Sequence, residues 1–222
     1  MSEPARRPPL VLASASPRRR ALLASLGLDF TVRPVDLDET PRDGEPAHDY
    51  VLRLAREKAA ARVEDGELVL AADTVVVLED GENGGERLLG KPADPAEARR
   101  MLAEIAGRGH TVLTGVALVG PRGGDGNGGD GNGEHGGGDR GEVSDVASTR
   151  VEMAPIDEDE IAWYVATGEP LDKAGSYAIQ DLGAMYVERI EGNYTNVVGL
   201  PLPLVKRLFG EMGWGLREFR PG

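Results

Sequence analysis

An α/β fold is predicted by three features of the sequence. Residues 8–13 form a short apolar strand that runs straight into a capped helix. Residues 68–78, L-V-L-A-A-D-T-V-V-V-L, are an almost unbroken apolar run suited to a central strand covered on both faces, and strand-like and helix-like segments alternate along the rest. The chain of 222 residues is long enough for one large domain or two small lobes, which at this size bury about 70% of the unfolded surface without crosslinks.

The first helix is the clearest element. Ser16 is its N-cap, Pro17 its first residue and Gly27 its stop, with Leu22, Leu23 and Leu26 toward the core. Its first turn carries Arg18, Arg19 and Arg20, which face the positive end of the helix dipole at roughly 0.3–1 kcal/mol each. An anion at that point reverses the sign. Free backbone N–H groups, the Ser14 and Ser16 hydroxyls and the guanidinium forks supply convergent donors suited to phosphate oxygens. Taken alone, the stretch also reads as an ordinary basic surface turn.

Residues 30–35 alternate as a strand and deliver the acidic cluster Asp36-Leu37-Asp38-Glu39, read as a site for a hard divalent cation in preference to a solvated turn. A helix over residues 46–62 puts Lys58 on the stripe of Val51, Leu54 and Ala55. A lysine there needs an anion or must snorkel, and snorkelling is the expectation. In the central strand, Asp73 and Thr74 break the apolar run, and an unpaired buried carboxylate costs too much to be accidental. Asp73 is therefore expected to be paired, coordinated to a metal or placed at a cleft.

Gly85-Glu86-Arg87-Leu88-Leu89-Gly90-Lys91 has the spacing of a phosphate-binding P-loop, but Pro92 stands where a magnesium-binding Ser or Thr is required, and that reading fails. Lys91 lies instead on a loop before a helix capped by Asp94 and Glu97 that runs to Gly107, with Ala98, Met101, Leu102 and Ile105 as its core face. Residues 111–119 and 146–153 read as antiparallel strands. Between them, residues 120–141 are dominated by Gly, Asn and Asp without an apolar anchor, and are expected to be a disordered loop insert and not a calcium-binding repeat. Asp157 caps a helix that Gly168 ends. Leu171-Asp172-Lys173-Ala174-Gly175-Ser176-Tyr177-Ala178-Ile179-Gln180 follows, with Gln180 suited to a ligand's hydrogen-bonding edge; a strand over 184–190 and a helix over 204–209 close the chain.

Composition bounds the partners. With 38 acidic and 25 basic residues the net charge is −13, so the chain as a whole repels nucleic acid and anionic membranes, and a phosphate ligand must be small and locally bound. No apolar run approaches the ~20 residues of a membrane span. Arg6 and Arg7 ahead of an apolar stretch imitate a signal peptide, but three arginines interrupt it at once. The absence of cysteine excludes thiol catalysis and suits a reducing compartment, and the expected location is cytoplasmic. The sequon Asn193-Tyr194-Thr195 then carries no meaning.

Six blocks in order resemble the Maf family of nucleoside triphosphate pyrophosphatases: Leu12-Ala13-Ser14-Ala15-Ser16-Pro17-Arg18-Arg19, Leu54-Ala55-Arg56-Glu57-Lys58-Ala59, Ala72-Asp73-Thr74-Val75-Val76, Gly90-Lys91-Pro92, Asp172-Lys173-Ala174-Gly175 with Ile179-Gln180, and Val198-Gly199-Leu200-Pro201. The resemblance covers most of the chain, and the Gly-rich insert is its main departure. It implies a Maf/ITPase-like elongated mixed β-sheet flanked by helices, with two lobes around a nucleotide cleft. It further implies hydrolysis of a nucleoside triphosphate to the monophosphate and pyrophosphate, in the house-cleaning of non-standard nucleotides, with an association with septum formation. Asp73 is similar to the family's proton acceptor, Arg19, Lys58 and Lys91 to its phosphate ligands, and Ser14 joins the substrate-binding set. Glu39 matches a carboxylate serving a divalent metal, Mg2+ or Mn2+, and Asp73 stands beside it as a metal ligand left open besides its role as base. Arg18, Thr74 and Gln180 match specificity positions: Ser16-Pro17-Arg18-Arg19 resembles enzymes for dTTP and UTP, whereas a Trp in place of Arg18 accompanies 7-methyl-GTP.

The expected partner is thus a small-molecule nucleoside triphosphate, with no nucleic acid and no membrane, and a homodimer is left open beside a monomer. Two other classes remain. A regulatory protein could sense nucleotides in the same pocket without turnover, but gains nothing from a carboxylate among phosphates. A phosphatase or kinase-like transferase is disfavoured by the failed P-loop and the lack of a phosphate-accepting nucleophile with a base beside it.

Overall fold

The structure, a computed structural model, describes residues 7–80, 85–123 and 140–221. In chain order it comprises β1 (Leu10–Leu12), α1 (Pro17–Ser25), β2 (Thr31–Val32), α2 (Ala47–Ala60), β3 (Leu68–Asp80), β4 (Gly85–Leu89), α3 (Pro95–Ile105), β5 (Gly109–Pro121), β6 (Arg140–Met153), α4 (Glu158–Ala166), β7 (Val187–Glu191), α5 (Tyr194–Val198) and α6 (Leu202–Glu211). Short 3-10 turns at Glu169–Asp172, Ala174–Ser176 and Leu182–Tyr186 join α4 to β7, and a last one lies at Leu216–Phe219.

One mixed sheet of seven strands runs through the molecule in the order β2-β1-β3-β5-β6-β7, with β4 also on β3. β1 is parallel to both its neighbours, and the remaining pairings are antiparallel. The long strand β3 has two partners in succession on one edge. β1 pairs with it only as far as Leu12 opposite Leu70, and β4 only from Leu89 opposite Val76. Between these points β3 keeps β5 on its other edge, where Asp73 faces Gly115 and Thr74 faces Thr114. The interruption puts Asp73 and Thr74 in a gap of the sheet edge, and the loops leaving β1 and β4 flank it.

The apolar core divides on either side of this gap. One cluster packs α1, α6 and the C-terminal turn on the β1 side through Leu12, Leu23, Leu70, Leu208, Phe209 and Phe219. The other packs α3 and α4 against the far half of the sheet through Val76, Leu102, Ile105, Val151 and Tyr164. These are the two lobes. α2 lies across the middle, with Ala55 and Ala59 against Val69 and Ala71, and Gly115 admits it: a Cβ there would stand 2.3 Å from the Val51 carbonyl oxygen.

Several expected bounds shift. The strand expected over 30–35 is ordered as β only at Thr31–Val32, and the one expected from residue 184 starts at Val187 because Leu182–Tyr186 closes as a 3-10 turn. The closing helix is longer at both ends, Leu202–Glu211. β5 and β6 extend into the Gly-rich segment, pairing Gly120 with Gly141 and Pro121 with Arg140, so its ends are strand; residues 124–139 lie outside the described residues. β4 and α5 were not expected. β4 lacks apolar alternation and exists through its hydrogen bonds to β3, and α5 is one capped turn, with Asn193 accepting from the Asn196 N–H. Among the described residues no helix is long and apolar enough to cross a membrane.

Candidate active site

The gap in β3 opens into a cleft of about 540 Å³, within the usual size range of small-molecule sites. Ser14, Ser16 and the start of α1 form one wall, Gly90 and Lys91 another, and the segment from Asp172 to Gln180 closes the far side. Arg18, Arg19, Lys58, Lys91 and Lys173 line it against Glu39, Asp73 and Asp172. The cleft is thus locally cationic in a strongly acidic chain, which attracts and retains a small polyanion.

The three arginines of the first turn part company. Ser16 caps the helix through the Arg19 N–H, and Ser14 Oγ accepts from the Ser16 N–H at 3.2 Å. Arg19 turns inward, donating from Nε to the Gly199 carbonyl at 2.7 Å and from Nη2 to Thr74 Oγ1 at 2.9 Å. Thr74 Oγ1 lies 3.0 Å from Thr114 Oγ1, and Thr114 donates to the Asn196 carbonyl at 3.1 Å. Because the Thr114 proton is committed to that carbonyl, the Thr74 hydroxyl accepts from Arg19 and donates to Thr114. Burial lowers the Arg19 guanidinium pKa and Asp73 opposes the shift, which leaves a fixed cation at neutral pH. Arg18 reaches across the mouth to Asp172, while Arg20 is exposed outside the cleft.

Lys58 does not snorkel. Its side chain is turned in, 7% exposed like Asp73, and Nζ stands 2.5 Å from both Asp73 Oδ1 and Glu39 Oε1. The anion it needs is supplied by a neighbouring strand and a loop, where the helix stripe alone could not reveal it. The loop is anchored from α2: Tyr50 Oη donates to the Glu39 carbonyl at 2.9 Å, and Arg53 grips both carboxylate oxygens of Glu45. Burial pushes the Glu39 carboxyl up, but the hydrogen bond and charge of Lys58, with Lys91 and Arg19 beyond, hold it below the usual carboxylate range.

Of the acidic cluster expected to hold a metal, only Glu39 lines the cleft. Asp38 instead accepts from the Thr40 N–H and hydroxyl at 2.9 and 2.6 Å, closing the turn. Among the described residues no group of three or more His, Asp or Glu side chains is assembled for an ion. Glu39 and Asp73 bring carboxylate oxygens together on one cationic position, the Lys58 ammonium. Two carboxylates fit a magnesium-like ion, which completes its octahedron with water and substrate phosphates.

Lys91 and Gln180 are exposed at the rim of the cleft. Their loops are tied together by the Gly175 N–H donating to the Gly90 carbonyl at 3.1 Å. Gly175 and Ser176 both sit at positive φ, +67° and +60°. A Cβ on Gly175 would come within 2.8 Å of Val76 Cγ2, so the glycine lets this wall seat on β3. Tyr50, Thr114 and Asn196 belong to the site and its support without having been singled out, and Asp172 and Lys173, quoted only within a motif block, line it. Tyr50 carried a usable signal: it precedes Leu54 and Lys58 at four-residue steps on one helix face. Thr114 and Asn196 carried none.

A family model described as Maf-like protein matches residues 9–212. A protein named dTTP/UTP pyrophosphatase from Anaeromyxobacter sp. (strain Fw109-5) is 52% identical over 213 residues, covering 96% of this chain and 94% of its own. Its namesake from Myxococcus xanthus (strain DK1622) is 50% identical over 195 residues, 87% of each chain. Among solved structures, the Ham1 protein of Staphylococcus aureus is a distant likeness, with 18% identity and a TM-score of 0.45 over 91% of this chain and 98% of that one.

Proposed function

The chain belongs to the Maf family, and from that premise we propose that it is a nucleoside triphosphate pyrophosphatase that hydrolyses dTTP and UTP to the monophosphate and pyrophosphate. The observation that carries the reading is the buried Lys58–Asp73 pair with Glu39 beside it, at the base of a cleft ringed by Arg18, Arg19 and Lys91. A carboxylate in that position would repel a bound triphosphate unless it held a cation or had work to do on a water molecule.

Asp73 is the general base. In the nucleotide-free chain Oδ1 faces Lys58, which leaves Oδ2 to take the proton from the water that attacks the α-phosphorus; a positioned base of this kind contributes about 10²–10⁴ in rate. Arg19, fixed by Gly199 and Thr74, binds phosphate oxygens together with Lys58, Lys91, the Ser14 hydroxyl and the positive end of the α1 dipole. Maf-family pyrophosphatases are generally metal-dependent. Here Glu39 and Asp73 are the residues that would hold Mg2+ or Mn2+, whose bound charge neutralises the triphosphate and the departing pyrophosphate. Arg18, Thr74 and Gln180 read the base and sugar.

The test is to incubate the purified protein with a panel of triphosphates and magnesium and to quantify monophosphate and pyrophosphate. dTTP and UTP are expected to give both in equal amounts. Orthophosphate and a nucleoside diphosphate as first products would overturn cleavage at the α-phosphorus.

A further inference from the structure

Lys58 occupies the one position in the cleft where both carboxylates meet. Its Nζ is 2.5 Å from Glu39 Oε1 and 2.5 Å from Asp73 Oδ1. The aliphatic stem runs along the buried face of α2 beside Leu54, Ala55 and Ala59, so the ammonium can leave the carboxylates only toward the cleft. A divalent cation drawing on the same two oxygens competes directly with that ammonium, because each carboxylate would otherwise face two cations side by side. We propose that Lys58 is a place-holder for the metal: it keeps Glu39 and Asp73 converged, gives them up to a divalent ion, and only then becomes free to bind phosphate.

The proposal rests on the reading that these two carboxylates serve the metal. It makes a thermodynamic statement that the reading alone does not. Metal without nucleotide strands a buried ammonium, and nucleotide without metal brings phosphates against two carboxylates. Only the two together leave every charge partnered, since the ion takes the carboxylates and Lys58 takes phosphate oxygens. Metal and nucleotide therefore bind with positive coupling, and by linkage each raises the affinity for the other to the same degree. The lysine acts as a guard against occupation of the site by metal alone.

The experiment is a titration of Mn2+ into the nucleotide-free full chain, followed by the electron paramagnetic resonance of free Mn2+. Lys58→Met keeps the buried stem and removes the competing charge. It is expected to bind Mn2+ more tightly than the parent, by a factor within the ordinary range of site-to-site coupling, about 5- to 150-fold. Adding Glu39→Gln to Lys58→Met is expected to abolish the gain, which assigns the ion to these carboxylates. A folded Lys58→Met protein that binds Mn2+ no better than the parent overturns the proposal.

Should Lys58→Met fail to fold, the parent protein decides the matter. Acetylation of its lysines, read by mass spectrometry, is expected to spare Lys58 without metal and to reach it when Mn2+ is added; unchanged reactivity at saturating Mn2+ overturns the exchange. Pyrophosphate release from dTTP is measured separately on the parent. Its absence beside a normal Mn2+ response would remove the proposed activity and leave the lysine exchange standing.

Discussion

Arg18 and Asp172 meet across the mouth of the cleft although 154 positions separate them: Nη1 donates to Asp172 Oδ2 at 3.0 Å and Nη2 to the Asp172 carbonyl at 3.3 Å. Lys173, buried behind, donates to the same carboxylate and to the Glu169 carbonyl, the latter at 2.9 Å. The pair joins the two walls and holds the guanidinium at the rim, where the proposed function has the nucleobase enter. An arginine there donates to a pyrimidine carbonyl and repels a positively charged methylated guanine. Arg18→Trp is expected to narrow or reverse the preference for dTTP and UTP over 7-methyl-GTP, since a cation–π contact is worth about 0.5–2 kcal/mol, or roughly 2- to 30-fold. kcat/KM for the three nucleotides on both proteins decides it, and a ratio untouched by the substitution removes Arg18 from specificity.

Asp73→Asn removes the proposed base and a charge but little volume. The amide oxygen can still accept from Lys58, and Glu39 still pairs with it, so the expected stability loss is only about 1–3 kcal/mol. Turnover is expected to fall by about 10²–10⁴ or more, with nucleotide binding in the absence of metal retained. Single-turnover kinetics and calorimetric titration with a non-hydrolysable dTTP analogue separate the two. Activity within a few-fold of the parent means that another group takes the proton.

Much of this site was legible because charge stands where apolar periodicity forbids it. Asp73 and Thr74 interrupt a strand, Lys58 interrupts a helix stripe, and three arginines open a helix at its unfavourable end. The gap in β3 was not legible, because it is defined by where β1 and β4 stop pairing and not by any residue of β3 itself. Lys58 was misread for a similar reason: its partner Asp73 is 15 positions away on another element, and no helical pattern reports that. Asn196 was silent because its work is done in a single turn, α5, too short to give a periodic signal.

Thr114 supports Arg19 at second hand. Thr114→Val keeps the shape, but leaves the Asn196 carbonyl without its donor and the Thr74 hydroxyl without its acceptor. The expected stability loss is about 1–3 kcal/mol. KM for dTTP is expected to rise as the Arg19 fork loosens, and Thr114→Ser is expected to restore both. Chemical denaturation and steady-state kinetics on the two variants check this; a Thr114→Val protein with parental KM would show that Thr74 holds Arg19 unaided.

His110 supplies the last expectation, in the stability of the fold against acid. It is fully buried on β5, its Nε2 2.8 Å from Tyr177 Oη, and Nδ1 has no partner among the described residues. Burial, with a smaller contribution from the Arg150 charge, lowers its pKa to about 4. An unfolded chain protonates this ring below about 6.5, so between these values the unfolded state binds more protons than the folded one. Stability contributed by neutral His110 is therefore complete above about pH 6.5, is lost as the pH falls toward 4, and amounts at most to about 3 kcal/mol. His110→Gln keeps a polar partner for Tyr177 but cannot titrate. Denaturant unfolding at several pH values is expected to show the parent losing stability on acidification faster than His110→Gln, by up to about 1.4 kcal/mol per pH unit. Parallel curves for the two proteins between pH 6.5 and 4.5 would mean that the buried ring carries no part of the acid sensitivity.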